Sequence, residues 1–311
     1  MDYLKEEEIK YLDDMAYEIR FLTVETIACG GWGHIGGSFS AAEILSTLYF
    51  KVMNVDPKNP KKDNRDYFVL SKAHCSPALY SALALKGFFP VEQLYTYCRI
   101  GGLEGHLDML GTPGLEMSGG SLGLGLSYSV GIAHALKMKE KFSQRVYCLI
   151  GDGESSEGQI WEAAMSAGHY KLDNLIAIVD YNKVMAKGFV SDEMSQEPIV
   201  DRWKSFGWNV IEVDGHDVIE IYQAFYRAKY LDVHGKPTCI IAHTVKGKGV
   251  EDCEFNYKWH THAPSINKAN EFLKELAARY NKPLRELKVN SISKHKDTLM
   301  EVIRGICNEF L

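Results

Sequence analysis

Several features that define whole classes of protein are missing from this chain of 311 residues. No apolar run approaches the roughly 18 residues that would span a membrane. The net charge is −6, opposite in sign to the basic face of a nucleic-acid-binding protein. The seven cysteines are odd in number and form no Cys-x-x-Cys pair, so neither a disulfide framework nor a zinc ribbon is indicated. We therefore expect a protein that binds neither membrane nor nucleic acid and keeps its thiols reduced.

The chain also lacks internal repeats and any linker rich in proline, glycine or serine. We therefore expect one domain over residues 1–311, with a helical C-terminal segment from about residue 265 to 311. The acidic start, Met1–Glu8, is unlike a secretory leader, so we expect a cytoplasmic protein.

Short apolar runs alternate with stretches of helical spacing along the chain. The runs expected to be strands are Tyr67–Leu70, Val146–Ile150, Leu175–Val179, Val210–Val213 and Cys239–Ala242. An opening helix is expected to end at Gly30 and Gly31, and a closing one to cover Ile266–Tyr280. This alternation predicts an α/β fold, a doubly wound parallel sheet with helices on both faces.

The strongest chemical signal follows the second predicted strand, where Gly151-Asp152-Gly153 precedes a predicted helix. Asn182 follows the third predicted strand, at the distance of one strand–helix–strand unit. Both side chains are therefore expected at one edge of the sheet. Carboxylate and amide oxygens are suited to Mg²⁺ bound to phosphate groups. A glycine turn before a helix also allows a diphosphate to approach the backbone.

Other interpretations of this glycine turn fit less well. A dinucleotide-binding fingerprint requires Gly-x-Gly-x-x-Gly, but position 156 is serine. The phosphate loop of ATPases requires Gly-Lys-Ser/Thr, whereas Gly158 precedes Gln159. A plain turn without chemistry is the remaining alternative.

Three histidines, His34, His74 and His106, also lie in loop-like contexts, two of them rich in glycine. Each alone is more often a loop or core residue than a catalytic one. As a set, they are better explained as the polar lining of a site that binds phosphate or sugar hydroxyls. Zinc is the rival ligand, but Cys/His spacing typical of a zinc site is missing.

The Gly-Asp-Gly turn, together with Glu157-Gly158, Glu162-Ala163 and the segment 172–176 leading to Asn182, resembles transketolase. The resemblance implies thiamine diphosphate as cofactor, with Mg²⁺ (or Ca²⁺ or Mn²⁺) held by Asp152, Asn182 and the carbonyl of Val184. It implies catalytic roles for His34 and His106, which match histidines that contact the donor ketose. The cofactor-binding residues it implies are His74, Ser118, Gly119, Gly120, Ser121, Leu122, Gly151, Asp152, Gly153, Glu154, Asn182 and His260.

Some of these assignments leave alternatives open. His262 is a second choice for the role of His260. Glu157 and Glu162 resemble acidic residues that face another subunit, but they could equally complement a helix dipole. In the glycine-rich loop, Ser121 and Leu124 depart from the common transketolase pattern, and the serine is closer to 1-deoxyxylulose-5-phosphate synthase.

The resemblance covers only the first half of a full-length transketolase. The second half carries the pyrimidine-binding domain, with the glutamate that activates the cofactor, and a C-terminal domain. The resemblance therefore implies the N-terminal subunit of a split enzyme, inactive alone and paired with a C-terminal subunit in an α₂β₂ assembly. Together they would transfer a two-carbon ketol unit from a ketose phosphate to an aldose. A specialised or synthase-like ketol transferase and a non-catalytic cofactor-binding subunit remain alternatives.

Overall fold

The computed structural model describes residues 3–232, 235–285 and 287. All five strands of its sheet are parallel, in the order β1-β2-β3-β5-β4. The strands are β1 (Tyr67–Leu70), β2 (Val146–Gly151), β3 (Leu175–Tyr181), β4 (Asn209–Asp214) and β5 (Thr238–His243). Each predicted strand is confirmed within two residues at either end. The pairing of β3 with β5 means that neighbours in the chain are not always neighbours in the sheet.

Ten α-helices lie within the described residues. They are α1 (Glu6–Gly30), α2 (Ile35–Ser40), α3 (Ala42–Thr47), α4 (Ser76–Lys86), α5 (Leu124–Met138), α6 (Gly158–His169), α7 (Val190–Glu193), α8 (Ile199–Ser205), α9 (Val218–Tyr226) and α10 (Ile266–Arg279). The predicted opening and closing helices are confirmed as α1 and α10. Residues 281–285 and 287 are not helical, and the rest of the predicted helical tail lies outside the described residues.

The sheet separates two hydrophobic cores because successive side chains of a strand point to opposite faces. In β2, Tyr147 and Leu149 join the core that contains α1, α3, α4, α9 and α10. Val146, Cys148 and Ile150 join the other core, formed with α5, α6 and α8. Helices therefore cover both faces, and the predicted doubly wound arrangement is confirmed.

The carboxyl ends of the strands form one edge, where a doubly wound sheet binds its ligands. Gly151 ends β2 beside Asp180 near the end of β3, and Tyr181 pairs with His243 at the end of β5. The residues that follow these strands are thereby brought close together. None of the helices in the described part of the chain combines the length and apolar character needed to cross a bilayer.

Candidate active site

A cavity of about 200 Å³ opens at this edge of the sheet. Most of its walls are loops that follow β1, β2, β3 and β5. Its lining residues are Gly37, Lys72, His74, Leu122, Gly151, Asp152, Gly153, Glu154, Ser156, Glu157, Asn182, Val184, Met185, Ala186, Lys246 and His260. The predicted Asp152 and Asn182 therefore lie in one cavity with the predicted His74 and His260.

Asp152 and Asn182 begin the loops after β2 and β3. One carboxylate oxygen of Asp152 accepts a hydrogen bond from the backbone N–H of Gly153 (2.7 Å), and the other accepts one from Lys183. The side-chain oxygen of Asn182 accepts one from the N–H of Val184 (3.1 Å). These bonds fix the orientation of the oxygens, and each oxygen keeps a further lone pair.

The charge of Asp152 is poorly compensated in the chain alone. Burial and, next, the negative charge of Asp180 raise the pKa of Asp152 to about 7. A cation bound beside the carboxylate would relieve both effects. The hard oxygen donors of Asp152 and Asn182 are those that Mg²⁺ prefers, so these residues fit a divalent ion.

The carbonyl of Val184, the third predicted ligand, contacts a residue whose role was not predicted. The ammonium group of Lys246 donates hydrogen bonds to the carbonyls of Val184 (2.8 Å) and Met185 (2.9 Å). It also lies 2.9 Å from Nδ1 of His260. Burial, and next the charge of Lys72, lower the pKa of Lys246 to about 8. Lys246 thus places a positive charge in the cavity, where it can compensate an anionic ligand.

A buried ion pair below the cavity was also missed by sequence reasoning. Asp180 accepts hydrogen bonds from Lys72, from Ser40 (2.6 Å), from the side-chain amide of Asn182 (3.1 Å) and from Thr244. Burial opposes ionisation of Asp180, but Lys72 outweighs it and holds the pKa of this carboxyl below its ordinary value. Asp180 therefore joins the loops of α2, β1, β3 and β5 beneath the cavity.

Four histidines form a continuous cluster beside the cavity. The ring of His34 lies 5.2 Å from those of His74 and His260 and 6.0 Å from that of His106. The structure thus brings together the three predicted histidines and His260. His262, the alternative to His260, is exposed and packs on Trp259, 5.0 Å between ring centroids.

The histidine cluster favours uncharged rings. Burial is the largest cause, and it lowers the pKa of His34 to about 4 and that of His260 to about 3. The charge of Lys246 adds to this effect at both rings. The Nδ1 atom of His34 is buried and has no hydrogen-bond partner among the described residues. Because a buried polar atom is costly without a partner, the cluster is suited to a ligand that supplies one.

The glycine-rich loop contacts the cavity only at its end. Leu122 lines it, whereas Ser118 and Ser121 are exposed and Gly119 pairs with Leu107. Gly120 lies beside the ring of His106. Helix α5 begins at Leu124 rather than at the predicted Ser127.

Glu154 fixes this loop against the Gly-Asp-Gly turn. Its carboxylate accepts hydrogen bonds from the N–H groups of Gly123 (2.8 Å) and Gly151 (2.9 Å) and from the hydroxyl of Ser71 (2.5 Å). Gly123 has a φ of 86°, in the left-handed region that favours glycine. The carboxylate of Glu154 is therefore occupied in holding three loops together.

The turn itself differs in detail from the expectation. Residues Gly153–Ser156 form a 3₁₀ turn, and α6 begins only at Gly158, two residues before the predicted Ile160. Glu157 and Glu162 are exposed, which leaves both interpretations of them open. No cluster of three or more His, Cys, Asp or Glu side chains placed to hold a metal occurs within the described ranges.

A chain of buried polar contacts connects the helical layer to the loop that carries Lys246. Arg20 donates to both carboxylate oxygens of Glu43, at 2.6 Å each. Nδ1 of His216 lies 2.9 Å from Glu43, and Nε2 of the same ring accepts a hydrogen bond from the N–H of Val245 (2.8 Å). A ring nitrogen that accepts carries no proton, so the proton of His216 lies on Nδ1 and is donated to Glu43.

We expect His216→Ala to weaken the binding of thiamine diphosphate with Mg²⁺ by about 10-fold or more, the usual cost of losing a residue that orients a ligand. His216→Gln should retain most of the affinity, since its side-chain oxygen can still accept from Val245. Calorimetric titration of the cofactor measures the affinity, and hydrogen exchange at Val245 measures the order of the loop. Equal affinities for the alanine and wild-type proteins would show that Lys246 is positioned without His216.

Comparison with known proteins identifies the family. A family model described as the thiamine diphosphate binding domain of transketolase matches residues 12–288. The chain belongs to the transketolase family. It is the N-terminal, thiamine diphosphate-binding part of a transketolase, and the cavity lies where parallel sheets of this kind bind their ligands.

Two transketolase relatives have nearly the same extent as this chain. The 6-deoxy-6-sulfo-D-fructose transketolase subunit SqwG of Clostridium sp. (strain MSTE9) is 50% identical over 244 residues, which cover 78% of this chain and 88% of that protein. One of the subunits of the apulose-4-phosphate transketolase of Phocaeicola vulgatus is 41% identical, over 88% of this chain and 97% of that one.

Solved transketolases extend well beyond the chain. The enzyme from Pichia stipitis in complex with sedoheptulose-7-phosphate is 30% identical and superposes with a TM-score of 0.83. The match covers 95% of this chain but 45% of that one. The chain thus spans slightly less than half the length of the solved enzyme.

Proposed function

We propose that this chain is the N-terminal subunit of a split, thiamine diphosphate-dependent transketolase. The observation that carries the proposal is one cavity containing Asp152, Asn182 and Lys246 beside the histidine cluster. The full-length match to proteins named as transketolase subunits supports it. The partner supplies the pyrimidine-binding and C-terminal domains.

The chain's share of cofactor binding follows from its donors. Asp152, Asn182 and the carbonyl of Val184 hold Mg²⁺, and Lys246 compensates the diphosphate. Val184 can serve while bonded to Lys246, because a carbonyl oxygen has two lone pairs. The loop 118–122 packs beside the cofactor. When bound, thiamine diphosphate supplies the electron sink for breaking and forming the carbon–carbon bond.

The uncharged histidines bind and orient the sugar. His34 has a buried Nδ1 atom that needs a partner, and a sugar hydroxyl or carbonyl oxygen is a suitable one. His106 is less buried and lies on the solvent side of His34. A neutral imidazole can donate at one nitrogen and accept at the other, so both can transfer protons to and from sugar oxygens.

The assembly and substrates belong to the same proposal. Two copies of the chain combine with two copies of the partner, whose glutamate activates the cofactor, and a two-carbon ketol unit moves from a ketose phosphate to an aldose. The six free thiols of the described residues fit the reducing cytosol.

A second candidate concerns the donor sugar. The relative with 50% identity is named for 6-deoxy-6-sulfo-D-fructose, a ketose with a sulfonate in place of the phosphate. This identity favours a ketose carrying a different terminal anion as the alternative donor. The machinery of Asp152, Asn182 and the histidines would be the same for both.

The proposal is tested by isolating the protein with whatever binds it in its own source. We expect a complex with a second chain that contains thiamine diphosphate and Mg²⁺. Ketol transfer should occur with the complex and be undetectable with the isolated chain, since the partner supplies the activating glutamate. Native mass spectrometry, with transfer assayed on D-xylulose 5-phosphate and 6-deoxy-6-sulfo-D-fructose, gives the answer. A self-associated species without partner or cofactor would refute the proposal.

A further inference from the structure

Trp32 is a large apolar side chain at the outer side of the histidine cluster. Its side chain is 37% exposed, although it belongs to the buried segment that carries His34. Its ring lies 4.9 Å from that of His34, edge to face, and 5.5 Å from that of His106. The indole therefore contacts both histidines to which we assign the sugar.

The neighbouring loop keeps the indole in this position. A Cβ atom added to Gly105 would lie 2.7 Å from the six-membered ring of Trp32. The loop that carries His106 can therefore approach the indole this closely only because residue 105 is glycine. Trp32 is thus held by close packing with one face of its ring still open.

The order of residues from the cavity outward places Trp32 at the entrance. His74 and His260 line the cavity, and His34 packs against both with 6% of its surface exposed. Trp32 contacts His34 from the outer side and reaches solvent. A sugar whose reacting carbons lie in the cavity would place the rest of its carbon chain beside the indole.

The chemistry of the indole suits this part of a sugar. A Trp ring offers a flat apolar face to C–H groups and an N–H donor at its edge. The indole N–H of Trp32 makes no hydrogen bond within the part of the chain that the structure describes. It is therefore available to a hydroxyl or to the terminal anion of a substrate.

We propose that Trp32 determines donor specificity by contacting the carbon chain of the ketose beyond the two carbons transferred. The inference rests on the proposed function and deepens it, because it assigns the donor to ketoses with an extended chain. A donor without such a chain gains nothing from Trp32.

The test compares long and short donors on the purified two-chain complex. The donors are D-xylulose 5-phosphate, D-fructose 6-phosphate and hydroxypyruvate, which carries the ketol unit without a sugar chain. We expect Trp32→Ala to raise KM for the better ketose phosphate by about 10-fold or more, the scale of a lost apolar contact. KM for hydroxypyruvate and the affinity for thiamine diphosphate should stay at the wild-type values. Trp32→Phe should recover most of the loss.

Tyr230→Ala is the matched control, because Tyr230 is an aromatic residue with 57% exposure that does not line the cavity. An equal loss with hydroxypyruvate, or weaker cofactor binding, would show that Trp32 only supports His34 and would overturn the inference. Weaker association with the partner chain would make Trp32 an interface residue, which also overturns it. An inactive wild-type complex refutes the proposed function itself, whereas an active complex unaffected by Trp32→Ala refutes this inference alone.

Discussion

Asp152→Ala is expected to abolish Mg²⁺-dependent binding of thiamine diphosphate and, with it, ketol transfer by the two-chain complex. Asp152 is the single carboxylate among the three groups that we assign to the metal. Loss of residues that merely orient a ligand costs about 10–100-fold in affinity, so loss of the ligand itself should exceed this. Isothermal titration of the cofactor, with Mg²⁺ and with EDTA, measures the effect without relying on turnover.

The variant should still fold, because the carboxylate removed is one that burial and the charge of Asp180 already destabilise. Circular dichroism of the variant confirms this. Asp201→Ala is the control, since Asp201 is an exposed acidic residue of α8 that does not line the cavity. Cofactor binding by the Asp152 variant that is as tight as in the wild type, and equally dependent on Mg²⁺, would refute the metal assignment.

Lys72→Met is expected to be the most destabilising single change near the site. The side chains of Lys72 and Asp180 are 1% and 0% exposed, so removing the ammonium leaves a buried carboxylate without its counter-charge. Breaking a buried pair in this way costs about 3–5 kcal/mol in the free energy of unfolding. The midpoint of urea unfolding at constant slope measures it.

The double variant Lys72→Met with Asp180→Asn should recover a large part of this loss, because it leaves neither charge unpaired. Lys141→Met is the control for removing a lysine from an ion pair, since its partner Asp63 is 89% exposed and surface pairs contribute little. If Lys72→Met were no more destabilising than the control, the buried pair would not be what joins the loops beneath the cavity.

The two halves of the metal site could be predicted because they depend on local order. Asp152 and Asn182 each follow a strand, and β2 and β3 are consecutive in the chain and adjacent in the sheet. The carboxyl ends of two adjacent parallel strands meet at one edge, whatever the rest of the chain does. A strand–helix–strand spacing in the sequence was therefore enough to bring the two side chains together.

The charged residues around the metal site were missed because their partners are far away in the chain. Lys72 and Asp180 are 108 positions apart, Lys246 and Val184 are 62 apart, and His216 and Glu43 are 173 apart. These contacts require β5 to lie beside β3, a choice of strand order that no local pattern reveals. A buried lysine was the only signal available, and burial itself is not visible in a sequence.

The histidines fall between these two cases. Their glycine-rich contexts predicted loops at a common edge, and the structure places all of them in one cluster. Their uncharged state follows from burial and from the charge of Lys246, which depend on packing. The position of Trp32 above them follows from the close approach of a second loop at Gly105.

Residue types and their local spacing were enough to establish the alternation of strands and helices, the edge of the sheet that carries the chemistry, and the pair of oxygen ligands there. Each of these properties arises within one structural unit of the chain. Which charges surround those ligands, and which ring stands at the entrance, depended on the packing of the whole domain. Such contacts join segments that are distant in the chain, and electrostatic effects become large only where packing has removed water from between them.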